Sequence, residues 1–456
     1  MHTDEAVNAY RTGELLAGDG FRYDPRDRHG PALFAFAEPL VKRLGARDLS
    51  DLTETQLRLT PAIFGSATIL LIGAGVEMFG FMACLVAALL FAVAPLPVYY
   101  SRYFIHETLF VAMTLGFILS TWHAWQKSSP AAAILAGLCA ALMLACKETS
   151  VIHFLAVVVA AAGIAGLQPR EKFPAAKIIA AALAVFLVAA ILLLTWFGRN
   201  WSVFADLLRA VPNFTARAGG EGHEKSFGYY FHLLDSTFVL FLLAIAGIYA
   251  ALFDACNGRS KSGVFLVIYA TVVALIYSAI PYKTPWLALN LWLPMTFLCG
   301  LGISDFWDQL KKPAGRWAVG IAGALLLSTL GNQTKRFVFD QPADDKNPYA
   351  YAHTGEDILR LAPRLDELAK NENLPQPLVA VVAADPWPLP WYLRKFSRVG
   401  YWQPGEETGA ADFLITDADV PASLIARVKN LRPEFFGVRP NVLIVLWTPT
   451  PLVPHE

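Results

Sequence analysis

Six clusters in this sequence hold side chains able to do chemistry: Asp4-Glu5, Arg28-His29, Arg58, Tyr100-Ser-Arg-Tyr-Phe-Ile-His-Glu107, Lys147-Glu148 and Tyr282-Lys-Thr-Pro-Trp286. A positioned carboxylate can take a proton as a general base, typically worth roughly 10²–10⁴-fold in rate. Lys and Arg can stabilise charge developing on a phosphate. Each cluster alone also has a plain structural account, since single charges at the ends of membrane helices sit among lipid headgroups, where Lys and Arg snorkel. Glu107 and Glu148 fit that account less well, because a carboxylate gains nothing from anionic headgroups. If one membrane face gathers all six, the plain account weakens further.

The elements that must position these residues are apolar. The chain has 456 residues, 55% hydrophobic and only 16% charged, with a mean hydropathy of +0.45; soluble domains are about 25% charged. Lys+Arg and Asp+Glu balance at 37 each, so net charge points to no polyanionic partner and no nucleic acid. Cys84, Cys139, Cys146, Cys256 and Cys299 form no CxxC metal pattern and no disulfide framework. No apolar signal sequence precedes Asp4.

From residue 59 onward come ten apolar stretches, centred near residues 69, 89, 117, 138, 159, 186, 244, 271, 294 and 323. About 20 helical residues at 1.5 Å each span the hydrocarbon core. The weakest are 59–78, with Glu77 near its end, and 130–146, rich in Ala and Gly. Alternate loops carry Lys127; Arg170, Lys172 and Lys177; Arg259 and Lys261; and Lys311, Lys312 and Arg316. The positive-inside rule turns these to the cytoplasm. Residues 1–58, 99–107, 147–150, 199–235, 282–286 and everything after about 332 are then external, so one face gathers all six clusters.

Residues 1–58 read as a first external loop with surface helices over 5–17 and 32–44, and Ser50 reads as a cap for the helix that enters the membrane past Arg58. Residues 59–331 form the transmembrane domain. Residues 332–456 change character: an amphipathic helix from Thr354 through Leu368 precedes strand-like runs at Leu378-Val-Ala-Val-Val-Ala383, Phe413-Leu-Ile-Thr and Val442-Leu-Ile-Val-Leu446. That alternation indicates a small external α/β domain. Asp385-Pro-Trp-Pro reads first as a packed turn beneath it; the competing reading has Trp387, Trp391 and Arg394 help bind a sugar.

His2-Thr-Asp-Glu-Ala, Arg28-His-Gly-Pro, the Arg58-Leu-Thr-Pro helix start, Tyr100-Ser-Arg-Tyr with Glu107, Cys146-Lys-Glu-Thr-Ser, Pro281-Tyr-Lys-Thr-Pro-Trp-Leu and Trp387-Pro-Leu-Pro-Trp-Tyr-Leu-Arg together resemble the GT-C superfamily. These are multi-spanning glycosyltransferases that use polyprenyl-phosphate sugars, typified by protein O-mannosyltransferases and the lipid A aminoarabinose transferase. The likeness is to a bacterial and archaeal branch described as mannosyltransferase-like or flippase-activity-associated, and it spans nearly the whole chain.

The resemblance implies an all-α polytopic protein of the plasma (inner) membrane, with about ten transmembrane helices present and a small extracytoplasmic α/β domain. It implies transfer of a hexosyl or pentosyl group, mannose-like, from a polyprenyl-phosphate donor to a glycan, lipid or protein acceptor. By the same likeness Asp4, with Glu5 beside it, matches the general base. His29, Arg58, Arg102, Lys147, Lys283 and Trp286 become candidates for the substrate. Glu107 matches a second acidic position associated in some members with a divalent metal (Mg, Mn or Zn), His106 being its neighbour; that position is usually Asp. The competing function is non-enzymatic: binding, or helping to move, a lipid-linked sugar. A small-solute transporter fits less well, because ionisable residues are few near the middle of the spans. In the superfamily a transmembrane helix precedes the Asp-Glu pair. The expectation is therefore that Met1 is internal or the chain truncated, with Asp4 on a frayed terminus.

Overall fold

The ten apolar stretches fold as helices. The structure, a computed structural model, describes all residues except 26–28, 168–174, 221, 235–237, 259 and 450–456. Arg28 and the loop cations Arg170, Lys172 and Arg259 therefore lie outside the described residues, as does Asp235. The described residues form two compact units, one of Asp19–Arg43 and Thr55–Pro342, the other of Met1–Gly18, Leu44–Glu54 and Ala343–Glu456.

The larger unit is a polytopic helical bundle. We number the helices α1 (Thr3–Ala17), α2 (Ala32–Arg43), α3 (Glu54–Ala74), α4 (Phe81–Val93), α5 (Glu107–Lys127), α6 (Pro130–Cys146), α7 (Ser150–Leu167), α8 (Ala176–Leu194), α9 (Val203–Ala218), α10 (Phe238–Cys256), α11 (Ser262–Ala279), α12 (Leu289–Gln309), α13 (Pro313–Thr334) and α14 (Leu361–Asn371). Among the described residues seven helices are long and apolar enough to cross a membrane; α4, α6 and α7 are apolar but shorter. Glu77, the doubtful residue of the first stretch, lies beyond α3 and pairs with Lys127 at 2.6 Å.

Between helices in lipid there is little hydrophobic driving force, so close packing at small residues holds them together. A Cβ added to Gly137 of α6 would overlap the Ala182 carbonyl of α8, one on Gly247 of α10 the Leu298 carbonyl of α12, and one on Gly300 of α12 the Ala83 carbonyl of α4. The Ala- and Gly-rich composition of 130–146 is thus an interface.

In the smaller unit a five-stranded sheet, order β2-β1-β3-β5-β4, is built from β1 (Val379–Val382), β2 (Val399–Trp402), β3 (Phe413–Asp417), β4 (Leu431–Arg439) and β5 (Val442–Pro449). β1 pairs parallel with β2 and β3; β5 pairs antiparallel with β3 and β4. Ile358, Leu361 and Leu365 pack with Val379, Val381, Phe413, Ile415 and Leu446 into its core.

Helix α1 belongs to this unit, and it corrects the expectation of a frayed terminus. His2 is the N-cap: its Nδ1 accepts the Asp4 N–H at 3.1 Å, and the Glu5 carboxylate accepts the His2 N–H at 3.2 Å. This reciprocal box satisfies two of the helix's orphan donors. The Met1 ammonium donates to the Tyr392 hydroxyl at 2.6 Å and lies 3.4 Å from Glu54, while Thr354 donates to the Met1 carbonyl at 2.7 Å. The Ser50 cap is corrected too: Asp48 caps the short turn Leu49–Asp51, accepting from the Ser50 N–H at 2.8 Å, and α3 begins only at Glu54.

Candidate functional site

In the helical unit the candidate residues converge on Glu107. It opens α5 and is 1% exposed. Lys147, the C-cap of α6, donates to one carboxylate oxygen at 2.6 Å, and Asn290 of α12 donates to the other at 2.9 Å. Both charges suit their helix ends, an anion at the N-terminus of α5 and a cation at the C-terminus of α6. His29 forms an isolated β-bridge with Lys147, and a Cβ on Gly30 would overlap the Ala145 carbonyl. The first loop is thereby held on the end of α6. The His29 ring sits 3.4 Å from Glu148 and 4.8 Å, centroid to centroid, from the ring of His106.

Lys283 is a different kind of cation. It is 1% exposed. Its ammonium donates to the carbonyls of Ile280, at 2.5 Å, and Lys225, at 3.3 Å. An ammonium has three donors, and among the described residues none of its partners is a carboxylate. Burial holds its pKa below the usual lysine range. Trp286 lies edge-on to the buried Tyr100, centroids 6.4 Å apart. Arg58 and Arg102 are near enough for their like charges to interact. Arg102 donates to the Val338 carbonyl at 2.8 Å and lies 4.5 Å over the Phe339 ring.

In the sheet unit Asp4 and Glu5 separate in role. Glu5 is fully buried, and its carboxylate serves the capping box. The Asp4 carboxylate is partly exposed and, among the described residues, has no hydrogen-bond or ionic partner. The His2 and His353 rings lie 5.1 Å apart. Burial lowers both pKa values, that of His353 to about 3. A neutral His2 is what the cap requires, since its Nδ1 must accept. Just after the Asp385-Pro-Trp-Pro segment, Arg394 stacks 3.7 Å over the buried Trp391 and donates to the carbonyls of Trp391 and Leu52. Trp387 meets Tyr10 edge-on at 5.8 Å.

With this geometry in hand, the chain can be set beside known proteins. Residues 38–196 match the family described as dolichyl-phosphate-mannose-protein mannosyltransferase. The structure is similar to that of ArnT from Cupriavidus metallidurans bound to undecaprenyl phosphate, at a TM-score of 0.63 and 15% identity, covering 97% of this chain and 93% of that one. It is also similar to the Archaeoglobus fulgidus oligosaccharyltransferase in complex with Zn and sulfate (TM-score 0.54, 14% identity, 96% of this chain and 69% of that one). The archaeal oligosaccharyltransferase AglB from the same organism, with an inhibitory peptide and a dolichol-phosphate, gives a TM-score of 0.53 at 13% identity over 100% and 71%. No curated protein matches the sequence. The fold is shared with ArnT and with the archaeal oligosaccharyltransferase.

Within this fold the residues suggested for a metal do not fit one. Both oxygens of Glu107 are engaged, by Lys147 and Asn290, and a cation in the first contact shell opposes a second one. His106 packs its ring against His29 and Phe34. Among the described residues no group of three or more His, Cys, Asp or Glu side chains could hold a metal ion.

Two features escaped the sequence reading. Asn290 sits among apolar residues in α12, and a polar side chain there calls for a partner; that isolation was the available signal. His153 lies inside α7, buried, with the hydroxyls of Tyr269 at 2.6 Å and Tyr277 at 3.1 Å on its two ring nitrogens. A lone histidine in a spanning helix was a signal of the same kind.

Proposed function

We propose that this GT-C protein is a membrane glycosyltransferase that moves a mannose-like sugar from a polyprenyl-phosphate donor to an extracytoplasmic acceptor hydroxyl. The observation that carries the reading is Lys283, a buried ammonium bound by carbonyls and, among the described residues, by no carboxylate. Burying a cation without an anion is costly, and a lipid phosphate is the anion that would compensate it. ArnT, which shares the fold, holds undecaprenyl phosphate. Lys147 has the same character in part: one of its three donors is engaged by Glu107, and among the described residues the others are not.

In this reading the Asp4 carboxylate takes the proton of the acceptor hydroxyl as its oxygen bonds to the anomeric carbon. The bond from that carbon to the phosphate oxygen breaks, and its electron pair stays on the phosphate. Lys283 and Lys147 stabilise the charge that develops there. Arg58, Arg102, His29 and Trp286 are assigned to donor binding. Glu5 serves to hold the helix that presents Asp4. The protein sits in the plasma (inner) membrane, with the sheet unit extracytoplasmic.

The test compares purified wild-type protein with Asp4→Asn and Lys283→Gln, using a labelled polyprenyl-phosphate sugar. Asp4→Asn should abolish transfer with donor binding retained. Lys283→Gln should chiefly weaken donor binding. Full transfer by Asp4→Asn would sink the assignment of the base.

A further inference from the structure

Helix α9, between the spanning helices α8 and α10, presents three different sides. Val203 and Ala210 are buried against the rest of the unit. Phe204, Leu208 and Val211 are exposed, Leu208 by 74%. At 3.6 residues per turn these three fall within about a sixth of a turn of one another. The third side is also exposed but polar: Arg209 points outward and pairs with Asp206 at 2.9 Å. An apolar exposed stripe about two turns long beside a charged exposed side marks a helix lying at a boundary between two solvents.

The helix before it has an apolar exposed side as well. α8 exposes Leu183, Leu187, Val188, Ile191 and Leu192, the lipid-facing side of a spanning helix, and Phe197 and Trp201 in the connection to α9 are exposed as well. Tryptophan is enriched at membrane interfaces, where its amphipathic ring suits the headgroup level.

We infer that α9 beds its Phe204–Leu208–Val211 stripe into the bilayer interface and turns Arg209 to water. The inference needs only that the chain spans a membrane, and does not depend on glycosyl transfer. It has a consequence for the loop around Lys283. The Asn213 amide donates to the Pro25 carbonyl at 3.2 Å, and the Arg217 guanidinium lies 5.3 Å over the Tyr282 ring. Just beyond α9, Glu224 forms a β-bridge with Tyr282, and the Lys283 N–H donates to the His223 carbonyl at 3.2 Å. A helix fixed at the interface therefore also holds the loop that carries Lys283.

The full chain in phospholipid nanodiscs, with the exposed Cys256 replaced by serine, tests this through nitroxide labels placed one at a time by Phe204→Cys, Leu208→Cys, Val211→Cys, Arg209→Cys and Ala216→Cys. Labels at 204, 208 and 211 should collide preferentially with oxygen, which partitions into lipid. Labels at 209 and 216 should collide preferentially with a water-soluble nickel chelate. Preferential collision of the stripe with the nickel reagent would overturn the inference. So would a stripe shielded from both reagents, which would mean that protein covers it.

Discussion

Replacing Lys147 by methionine removes the cation that compensates Glu107 while keeping a chain of similar length. Among the described residues the Glu107 carboxylate, 1% exposed, would be left with the Asn290 amide as its one remaining donor at Oε1 and none at Oε2. Breaking a buried pair from one side typically costs about 3–5 kcal/mol. Adding Glu107→Gln removes the orphaned charge, and a neutral glutamine can still accept from Asn290. Replacing both partners of a buried pair is often close to neutral. The double variant should therefore be more stable than Lys147→Met alone, by about 2 kcal/mol or more. Equilibrium unfolding in mixed micelles of SDS and a mild detergent, run on wild type, both single variants and the double, gives the coupling directly. Additive losses from the two single variants would refute the claim that Lys147 is what keeps a buried Glu107 tolerable.

Three further outcomes follow from the same geometry. Asp4→Asn should leave unfolding unchanged, whereas Glu5→Ala should cost about 1 kcal/mol by opening the capping box; equal losses would erase the division of roles between them. Asn290→Leu strips Glu107 of its amide donor and should cost about 1–3 kcal/mol, which the same unfolding assay would register. His353 has its pKa lowered to about 3 and His2 is lowered as well, so the unfolded chain binds protons that the folded unit refuses. The sheet unit should then lose stability as pH falls from about 6.5 toward 3, by up to about 2 kcal/mol at pH 5 from His353 alone. Hydrogen exchange in α1 that stays flat between pH 7 and pH 5 would count against this.

The membrane fold was legible because a run of about 20 apolar residues is a strong local signal. All ten stretches appear as helices, and the clusters at 29, 107 and 147–148 do meet. What stayed hidden was non-local or small. The three strands read from the sequence, β1, β3 and β5, are the interior of the sheet. The two missed, β2 and β4, are its edges, where alternation is weak and a residue such as Pro433 is tolerated. The N-terminal capping box was hidden by its first member, since histidine is an unusual N-cap beside Ser, Thr, Asp or Asn. With that box unrecognised, Glu5 looked like a twin of Asp4. The contact between Met1 and Tyr392 joins residues 391 apart, a pairing that no local pattern announces. Asn290 was passed over because one amide barely alters the hydropathy of an apolar helix, although its bond to Glu107 ties α12 to α5.

As proposed above, the protein turns over a lipid-linked sugar instead of merely holding it. The most direct measurement is mass spectrometry of the lipid after purified protein in nanodiscs meets a polyprenyl-phosphate mannose and a crude membrane extract as the source of acceptor. Free polyprenyl phosphate should accumulate with wild-type protein and not with Asp4→Asn. Donor that binds to the wild type and is recovered intact would contradict it, and would leave the protein a lipid-linked-sugar binder.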